Sequence, residues 1–157
     1  MEKLNTVDKN IIRVLQKNGR ISFAELSRQV GLSATPCKER VKRLEREGVI
    51  KGYTTLINPD YLDAGLVVFV QIRLSRSAKD TFEDFRDAAM LLPEIQECYL
   101  VSGSFDYLLK ARVADMSSYR QFYGETLLTL PGVHECTSHV VMEEVKDTTE
   151  IPVHYNR

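Results

Sequence analysis

The first apolar pattern in the chain lies at residues 7–15, VDKNIIRVL. Its apolar residues recur at i, i+4, i+7 and i+8, the spacing of one helical face, and are Val7, Ile11, Val14 and Leu15. Gly19 follows, and glycine commonly ends helices. The pattern therefore predicts a first helix with one buried face.

The next stretch, ISFAELSRQVGLS, predicts two further helices separated by a tight turn. Ser22 can cap a helix over residues 23–30, and Glu25 stands where it would complete a capping box. The letters GLS then form a short turn, and Ser33 is placed to cap a third helix. Three helices joined in this way are typical of a helix-turn-helix unit.

The third helix, SATPCKERVKRLEREG, has two chemically different faces. At about 100° per residue, its apolar side consists of Cys37, Val41 and Leu44. Its basic side, which also holds Glu39, consists of Lys38, Lys42, Arg43 and Arg46. A lone basic helix is more often only a solvated surface. Here the helix occupies the place of a recognition helix, which favours DNA binding.

Base edges and phosphates are reached from different positions on such a helix. Side chains near its start can meet base edges, and those farther along the basic face can meet phosphates. The predicted contacts to base edges are Ser33, Thr35, Pro36, Lys38 and Glu39. The predicted contacts to phosphates are Lys42, Arg43 and Arg46.

After Gly48 the pattern changes. VIKGYTTLIN alternates as a β-strand does, and NPDYLD is typical of a turn and linker. We therefore expect a wing and a hinge in this stretch. Residues 1–52 would form a winged helix-turn-helix DNA-binding domain, and residues 53–64 a hinge strand and linker.

Residues 65–146 predict an α+β domain. GLVVFVQIRLS predicts a strand, KDTFEDFRDAAMLLP a helix, IQECYLVSG and FDYLLKARV two strands, SSYRQFYGETLLTLPG a helix, and VHECTSHVVMEEV a last strand. The order β-α-β-β-α-β is that of a ferredoxin-like fold, whose helices cover one face of the sheet. Val67 and Phe69 lie on the bare face, so we expect a second copy to cover them in a two-fold dimer.

Composition and charge narrow the class of protein. The 157 residues are 43% hydrophobic and 27% charged, as in ordinary globular domains. Residues 1–52 hold 12 Lys or Arg against 6 Asp or Glu, whereas residues 53–157 hold 9 against 16, so a basic half precedes an acidic one. No apolar run could cross a bilayer, and three distant cysteines indicate no disulfide framework. We expect a soluble cytoplasmic protein without a membrane partner.

Catalytic patterns do not occur in the sequence. It has no Ser-His-Asp order, no phosphate-binding glycine loop and no H-E-x-x-H motif, so we expect no enzyme. His134, Cys136 and His139 are close in sequence, but strand alternation puts His139 on the other face. We therefore expect no metal and no cofactor.

The loop LVSGSFDY, residues 100–107, is the remaining candidate site. It is compatible with an ordinary hairpin turn. Alternatively, backbone amides around Gly103 and Ser104 could hold a carboxylate while Asp106 meets an ammonium group. A free amino acid carries both of these groups.

Several segments together resemble the Lrp/AsnC family of leucine-responsive and asparagine-responsive bacterial regulators. They are NGRIS, ELSRQVGLSATPCKERVKRLEREGVIKGYT, NPDYLDAGLVVFVQI, EIQECYLVSGSFDYLLKARVADMSSYR, GETLLTLPGV and VVMEEVK, spread over residues 6–146. The resemblance implies a winged helix-turn-helix followed by a ferredoxin-like ligand-sensing (RAM) domain. It also implies transcription control by an amino acid such as leucine or methionine, AT-rich imperfectly palindromic DNA, and homodimers that assemble into octamers.

The resemblance further implies an effector site near the loop between the two middle strands, at an interface between subunits. The matching positions are Leu100, Gly103, Ser104, Asp106, Met116, Val140 and Val141. Ser104 departs from the family, which often has an acidic residue there.

Two classes of function remain open. The first is a DNA-binding, amino-acid-sensing transcriptional regulator, or a regulator of the same architecture that binds no amino acid. The second is a ferredoxin-like metabolite-binding module or enzyme with a helical appendage, which the basic N-terminal half disfavours. Residues 147–157 are a C-terminal tail to which the sequence assigns no role.

Overall fold

The computed structural model describes residues 4–75 and 80–155. Contacts within the chain divide it into two units. The N-terminal unit comprises Met1–Leu56 together with Lys146–Arg157, and the sheet unit comprises Ile57–Val145. The C-terminal tail, which we predicted as a separate segment, is thus part of the N-terminal unit. Within the described ranges, no helix is long and apolar enough to span a membrane.

Three helices form the N-terminal unit: α1 (Thr6–Lys17), α2 (Phe23–Val30) and α3 (Ala34–Arg46). Each turns an apolar stripe toward a shared core, as the periodicity predicts. The buried core residues are Ile11, Leu26, Cys37, Val41 and Leu44. The predicted trihelical arrangement is therefore confirmed.

Local sequence determines how these helices begin. The Asn5 side chain accepts from the Asp8 amide at 2.9 Å, and Asp8 accepts from the Asn5 amide at 3.2 Å, which closes a capping box on α1. Ser22 caps α2 by accepting from the Glu25 amide at 3.2 Å, but the Glu25 carboxylate pairs with a neighbouring arginine instead of closing the predicted box. Ser33 stands at the N-cap of α3 without a side-chain capping bond.

The segment after α3 differs from the prediction. Residues 51–58 form no strand, although their sequence alternates as one. A strand needs a hydrogen-bonded neighbour, and the described part of this single chain offers none to the segment. Tyr53 is held through its hydroxyl by Glu45 at 2.9 Å, whereas Leu56 and Ile57 are exposed. The predicted hinge strand is therefore wrong for the single chain.

The sheet unit contains the predicted β-α-β-β-α-β order. Its elements are β1 (Leu66–Leu74), α4 (Thr81–Ala89), β2 (Ile95–Leu100), β3 (Tyr107–Val113), α5 (Met116–Glu125) and β4 (Val133–Val140). Short 3-10 helices (Pro59–Leu62 and Leu127–Thr129) precede β1 and follow α5. The strands are antiparallel neighbours in the order β2-β3-β1-β4, which confirms the ferredoxin-like fold.

The core of the sheet unit lies between one face of the sheet and the two helices. Val70 of β1 packs there with Phe85 of α4 and Leu109 of β3. Alternate positions of β1 face the other side, where Phe69 is half-buried and Val67 is only 3% exposed. The expectation that a second copy must cover both residues is therefore wrong for Val67, which its own chain already covers.

Candidate functional site

The outer face of α3 is the first candidate site. Its apolar side is buried in the core of the N-terminal unit, which leaves the start of the helix and its polar side in solvent. The exposed residues among the predicted DNA contacts are Ser33, Thr35, Pro36, Lys38, Glu39, Lys42 and Arg46. The structure thus places these predicted residues on the exposed part of one helix.

Arg43 departs from this surface. Its Nη2 lies 2.7 Å from Oδ2 of Asp8, and Nη1 of Arg40 lies 3.0 Å from Oδ1 of the same carboxylate. Asp8 is 1% exposed, so its charge needs partners inside the protein. The two arginines supply them. The predicted position of Arg43 on the outer basic face is therefore wrong.

Burial and hydrogen bonding shift the pKa of Asp8 in opposite directions. Burial acts to raise the pKa of the carboxyl, but hydrogen bonds from Arg43, the Asn5 backbone and Arg40 together outweigh burial and lower the pKa below its usual value. The carboxylate is therefore charged at neutral pH. It joins α1 to α3 and thereby fixes the orientation of the basic helix.

Sequence reasoning missed Asp8, although the signal was present. Asn5 and Asp8 have the spacing of a capping box, and Arg40 and Arg43 are three residues apart and so share one side of α3. The sequence alone does not show which side of α3 meets α1, because that depends on how the helices pack.

The loop between β2 and β3 is the second candidate site. The Asp106 carboxylate accepts a hydrogen bond from the Leu74 amide at 2.8 Å, and the Asp106 amide donates to the Ile72 carbonyl at 2.9 Å. The Asp106 carbonyl accepts from the Val101 amide at 2.9 Å. Asp106 therefore ties the loop to the end of β1, a structural task that the sequence did not predict.

The tip of the loop is held by a second set of bonds. Arg73 donates to the Ser104 carbonyl from Nε at 3.1 Å and from Nη2 at 2.6 Å, and its Nη1 lies 3.0 Å from the Glu135 carboxylate. Gly103 has φ +143°, a conformation that favours glycine. The adjacent cavity has about 60 Å³, space for only about two water molecules. Among the described residues, this cavity beside the loop is therefore too small for a free amino acid.

The other predicted effector residues lie elsewhere in the sheet unit. Met116 begins α5 and lines a cleft of about 530 Å³ together with Tyr119, Tyr123 and Ser138. The Tyr119 and Ser138 hydroxyls share a hydrogen bond beside it. Val140 ends β4 and its side chain is exposed. This cleft is large enough for a small ligand.

The two groups of predicted effector residues lie at opposite ends of β1. Asp106 is bonded to Leu74 at one end, and the Val141 amide donates to the Val67 carbonyl at 3.0 Å at the other. Leu74 and Val67 are about 23 Å apart at the rise of an extended strand. A single chain therefore does not join the loop group (Leu100, Gly103, Ser104 and Asp106) to the second group (Met116, Val140 and Val141).

Comparison with known proteins assigns both units. Residues 4–51 match the family described as winged helix-turn-helix DNA-binding, and residues 67–151 match the Lrp/AsnC ligand binding domain. The chain belongs to the Lrp/AsnC family. The family match covers the sheet and both helices that pack on it, which agrees with the fold.

Individual Lrp/AsnC proteins are similar over nearly the whole chain. The leucine-responsive regulatory protein of Escherichia coli (strain K12) is 61% identical over 150 residues, covering 96% of this chain and 92% of that protein. A transcriptional regulator of Neisseria meningitidis, solved as a complex with L-Met, is 39% identical with a TM-score of 0.92, covering 96% and 97% of the two chains. An AsnC family regulator from Agrobacterium tumefaciens is 34% identical with a TM-score of 0.90, covering 95% and 97%.

This Lrp/AsnC chain is therefore a DNA-binding transcriptional regulator with a ligand-binding domain, and it is not an enzyme. The predicted class and fold are confirmed. Within residues 4–75 and 80–155, no group of three or more His, Cys, Asp or Glu residues is arranged to hold a metal ion.

Proposed function

We propose that α3 is a recognition helix that reads AT-rich, imperfectly palindromic double-stranded DNA in the major groove. The observation that carries the proposal is its exposed basic face, where Lys38, Lys42 and Arg46 lie in solvent while Arg40 and Arg43 are bound to Asp8. The winged helix-turn-helix match over residues 4–51 supports it. Such a regulator acts on bacterial DNA in the cytoplasm.

The roles of the side chains follow from their positions on α3. The start of a recognition helix meets base edges, so we assign this role to Ser33, Thr35, Pro36, Lys38 and Glu39. We assign the phosphate contacts to Lys42 and Arg46, which lie farther along the exposed face of α3. Arg43 is left out of this set because the Asp8 carboxylate already binds it.

Salt dependence of DNA binding tests the assignment. The association constant K for DNA falls with salt, and each lost phosphate contact makes the slope of log K against log salt less steep by about 1. We expect this smaller slope in Lys42→Ala. Arg86→Ala, which removes an exposed cation of the sheet unit, serves as the control and should leave the slope unchanged. An unchanged slope in Lys42→Ala would remove this face of α3 from the DNA contact.

We further propose that the ligand is a small amino acid, leucine or methionine, and that it binds between subunits. The family match to a ligand binding domain supports a ligand, and the names of two relatives point to its class: a leucine-responsive regulator and a regulator solved with L-Met. Because the two groups of predicted effector residues lie toward opposite ends of β1, up to about 23 Å apart along the strand, we propose that two copies contribute to one site.

The loop group and the second group would each bind a different part of the amino acid. Backbone amides around Gly103 and Ser104 would hold its carboxylate, and Asp106 would hold its ammonium group while keeping the loop on β1. The apolar side chain would contact Leu100 from the loop of one copy. From another copy it would contact Met116, Val140 and Val141.

Assembly follows from surfaces that the single chain leaves uncovered. The segment at residues 53–57 has no strand partner among the described residues, and Leu56 within it is 81% exposed. Phe69 on the bare face of the sheet is half-buried. A second copy could supply a strand partner to the segment and cover Phe69 on this face. We therefore propose a homodimer that assembles further, to an octamer.

Thermal melts with each common amino acid at millimolar concentration test the effector. A ligand at 100 times its Kd stabilises the native state by about 2.7 kcal/mol, so leucine or methionine should raise Tm. Asp106→Asn keeps an oxygen acceptor for the Leu74 amide but removes the charge, and we expect it to abolish this rise. If no amino acid shifts the melt while palindromic DNA still binds, the chain is a regulator that senses no amino acid.

A further inference from the structure

The C-terminal segment at residues 151–155 lies along the solvent side of α1. The Gln16 side chain bonds twice to Ile151: Oε1 accepts from the Ile151 amide at 2.7 Å, and Nε2 donates to the Ile151 carbonyl at 3.1 Å. Lys9 Nζ donates to the His154 carbonyl at 2.7 Å. These bonds hold backbone groups at both ends of the segment.

Tyr155 completes the contact with an aromatic ring. Its hydroxyl donates to Asn10 Oδ1 at 2.7 Å, while Lys9 Nζ and Arg13 Cζ lie 5.9 and 5.8 Å from the ring centroid. These distances are within the range of a cation–π interaction. The ring therefore engages two of the cations on the solvent side of α1.

The segment runs antiparallel to α1. Ile151 pairs with Gln16 near the end of the helix, whereas Tyr155 pairs with Asn10 near its start. On α1 the contacted residues recur at i, i+1, i+4 and i+7, so they share one face: Lys9, Asn10, Arg13 and Gln16. Polar partners on this face of α1 therefore meet the segment at both of its ends.

The other side of α1 carries Asp8, whose carboxylate binds Arg40 and Arg43 of α3. One helix therefore connects the C-terminal segment on its outer side with the proposed recognition helix on its inner side. A displacement of α1 by the segment would be passed to α3 through the ion pairs that the buried Asp8 carboxylate makes with Arg40 and Arg43.

The segment is also the direct continuation of the last strand. After β4, the Val141 amide bonds to the Val67 carbonyl at 3.0 Å, and the Glu144 carboxylate lies 3.2 Å from Arg112 Nη2. Residues 145–150 are all that separate this anchor in the sheet unit from the first bond on α1. The chain thus passes between the two units twice, once before the sheet and once after it.

We propose that residues 151–155 form a docking segment that binds α1 of its own chain and couples the effector-binding sheet to the recognition helix. The coupling rests on the proposed amino-acid response, but the docking does not. The occupant of this face of α1 is a segment of the same chain, residues 151–155, whose last residue is the aromatic Tyr155. Release or tightening of the segment would change how firmly α1 and α3 are held for DNA binding.

Cross-linking in the full-length protein tests the docking. In Gln16→Cys/Ile151→Cys, mild oxidation should give a monomer with altered mobility on a denaturing gel, because both cysteines belong to one chain. Thr6→Cys/Ile151→Cys is the matched control, since Thr6 is exposed on α1 but about 15 Å along the helix from Gln16. The chain with only its native Cys37, Cys98 and Cys136 gives the background. A cross-linked dimer, or equal cross-linking in the control pair, would overturn docking on the same chain.

The coupling is tested with a variant that undocks the segment. In Gln16→Ala/Tyr155→Ala, we expect the leucine- or methionine-induced fold-change in DNA Kd to fall toward one, while the ligand-induced rise in Tm persists. A fold-change equal to that of the unmodified chain would overturn the coupling. If neither amino acid raises Tm in the unmodified chain, the proposed effector is wrong, and the cross-link still decides the docking on its own.

Discussion

The two units of the molecule are held together by different means. Among the described residues, the N-terminal unit buries five apolar side chains in its core, whereas the sheet unit buries fourteen. The N-terminal unit has polar contacts in addition to its small core. They are a full capping box on α1 and the ion pairs of the buried Asp8 carboxylate with Arg40 and Arg43. The sheet unit relies on apolar packing of its strands against α4 and α5.

This difference suits the tasks of the two units. A small core gives little free energy, so directional ion pairs add to apolar packing in orienting α3. The larger core of the sheet unit holds the strands, while its loop is fixed separately by Asp106 and Arg73. Substitutions in the two units should therefore differ in magnitude and in pH dependence.

The largest expected effect is in the sheet unit. Phe85 is fully buried and packs against the Tyr107 ring at a centroid distance of 4.6 Å. Phe85→Ala should lower the free energy of unfolding by about 3–5 kcal/mol, because it leaves a cavity in the core. Urea unfolding followed by circular dichroism measures the loss. Phe23→Ala, at a ring that is 41% exposed on α2, is the control and should cost less than half as much.

Asp8→Asn should have the next largest effect. The substitution removes the Asp8 counter-charge from Arg40 and Arg43, and we expect a loss of about 2–4 kcal/mol, moderated because both arginines keep some contact with water. Glu47→Gln, an exposed carboxylate of the same unit, should be nearly neutral. A loss in Asp8→Asn no greater than that in Glu47→Gln would contradict a structural ion pair.

The same variant has a distinct pH dependence. The pKa of Asp8 is lower in the folded protein than the value of about 4 expected in the unfolded chain, so its stabilisation is complete above pH 4. It is lost as pH falls through the lowered folded pKa. Urea midpoints of Asp8→Asn and the unmodified chain should therefore converge below about pH 4. A gap that stayed constant with pH would show that the carboxylate charge is not responsible.

Elements whose pattern is local could be predicted from the sequence, and those that depend on partners could not. The span of α2, the extent of β1 and the order of the sheet unit follow from periodicity and turn residues, and the structure agrees with them. The predicted hinge strand is absent because alternation alone does not form a strand, and the described residues offer residues 53–57 no hydrogen-bonded neighbour. The orientation of Arg43 failed because a helical wheel does not show which face meets α1.

The candidate effector site shows the same limit. Its loop residues were found from a short motif, but the task of Asp106 in binding the Leu74 amide depends on a strand more than thirty residues away in sequence. The separation of the loop from Met116 and Val140 likewise depends on strand register. The sequence therefore names candidate residues, but it does not show which of them lie together in the fold.

A smaller effect is expected where backbone conformation decides the residue. Gly132 has φ +71°, and a Cβ there would lie 2.1 Å from Thr81 Cγ2, so Gly132→Ala should cost about 1–3 kcal/mol. Gly124 lies within α5 with open space around it, and Gly124→Ala should instead stabilise by about 0.5–1 kcal/mol. Opposite shifts in Tm are the expected result. Shifts of the same sign would refute this account of the two glycines.

The smallest expected effect separates two serines at matched helix starts. The Ser22 hydroxyl accepts from the Glu25 amide, whereas the Ser33 hydroxyl makes no capping bond. Ser22→Ala should therefore lower stability by about 1 kcal/mol, and Ser33→Ala should leave it nearly unchanged. If the Ser33 hydroxyl contacts DNA and does not cap α3, Ser33→Ala should weaken specific DNA binding while Tm stays unchanged. A lower Tm with unchanged DNA affinity would instead show that the Ser33 hydroxyl stabilises α3 and does not contact DNA.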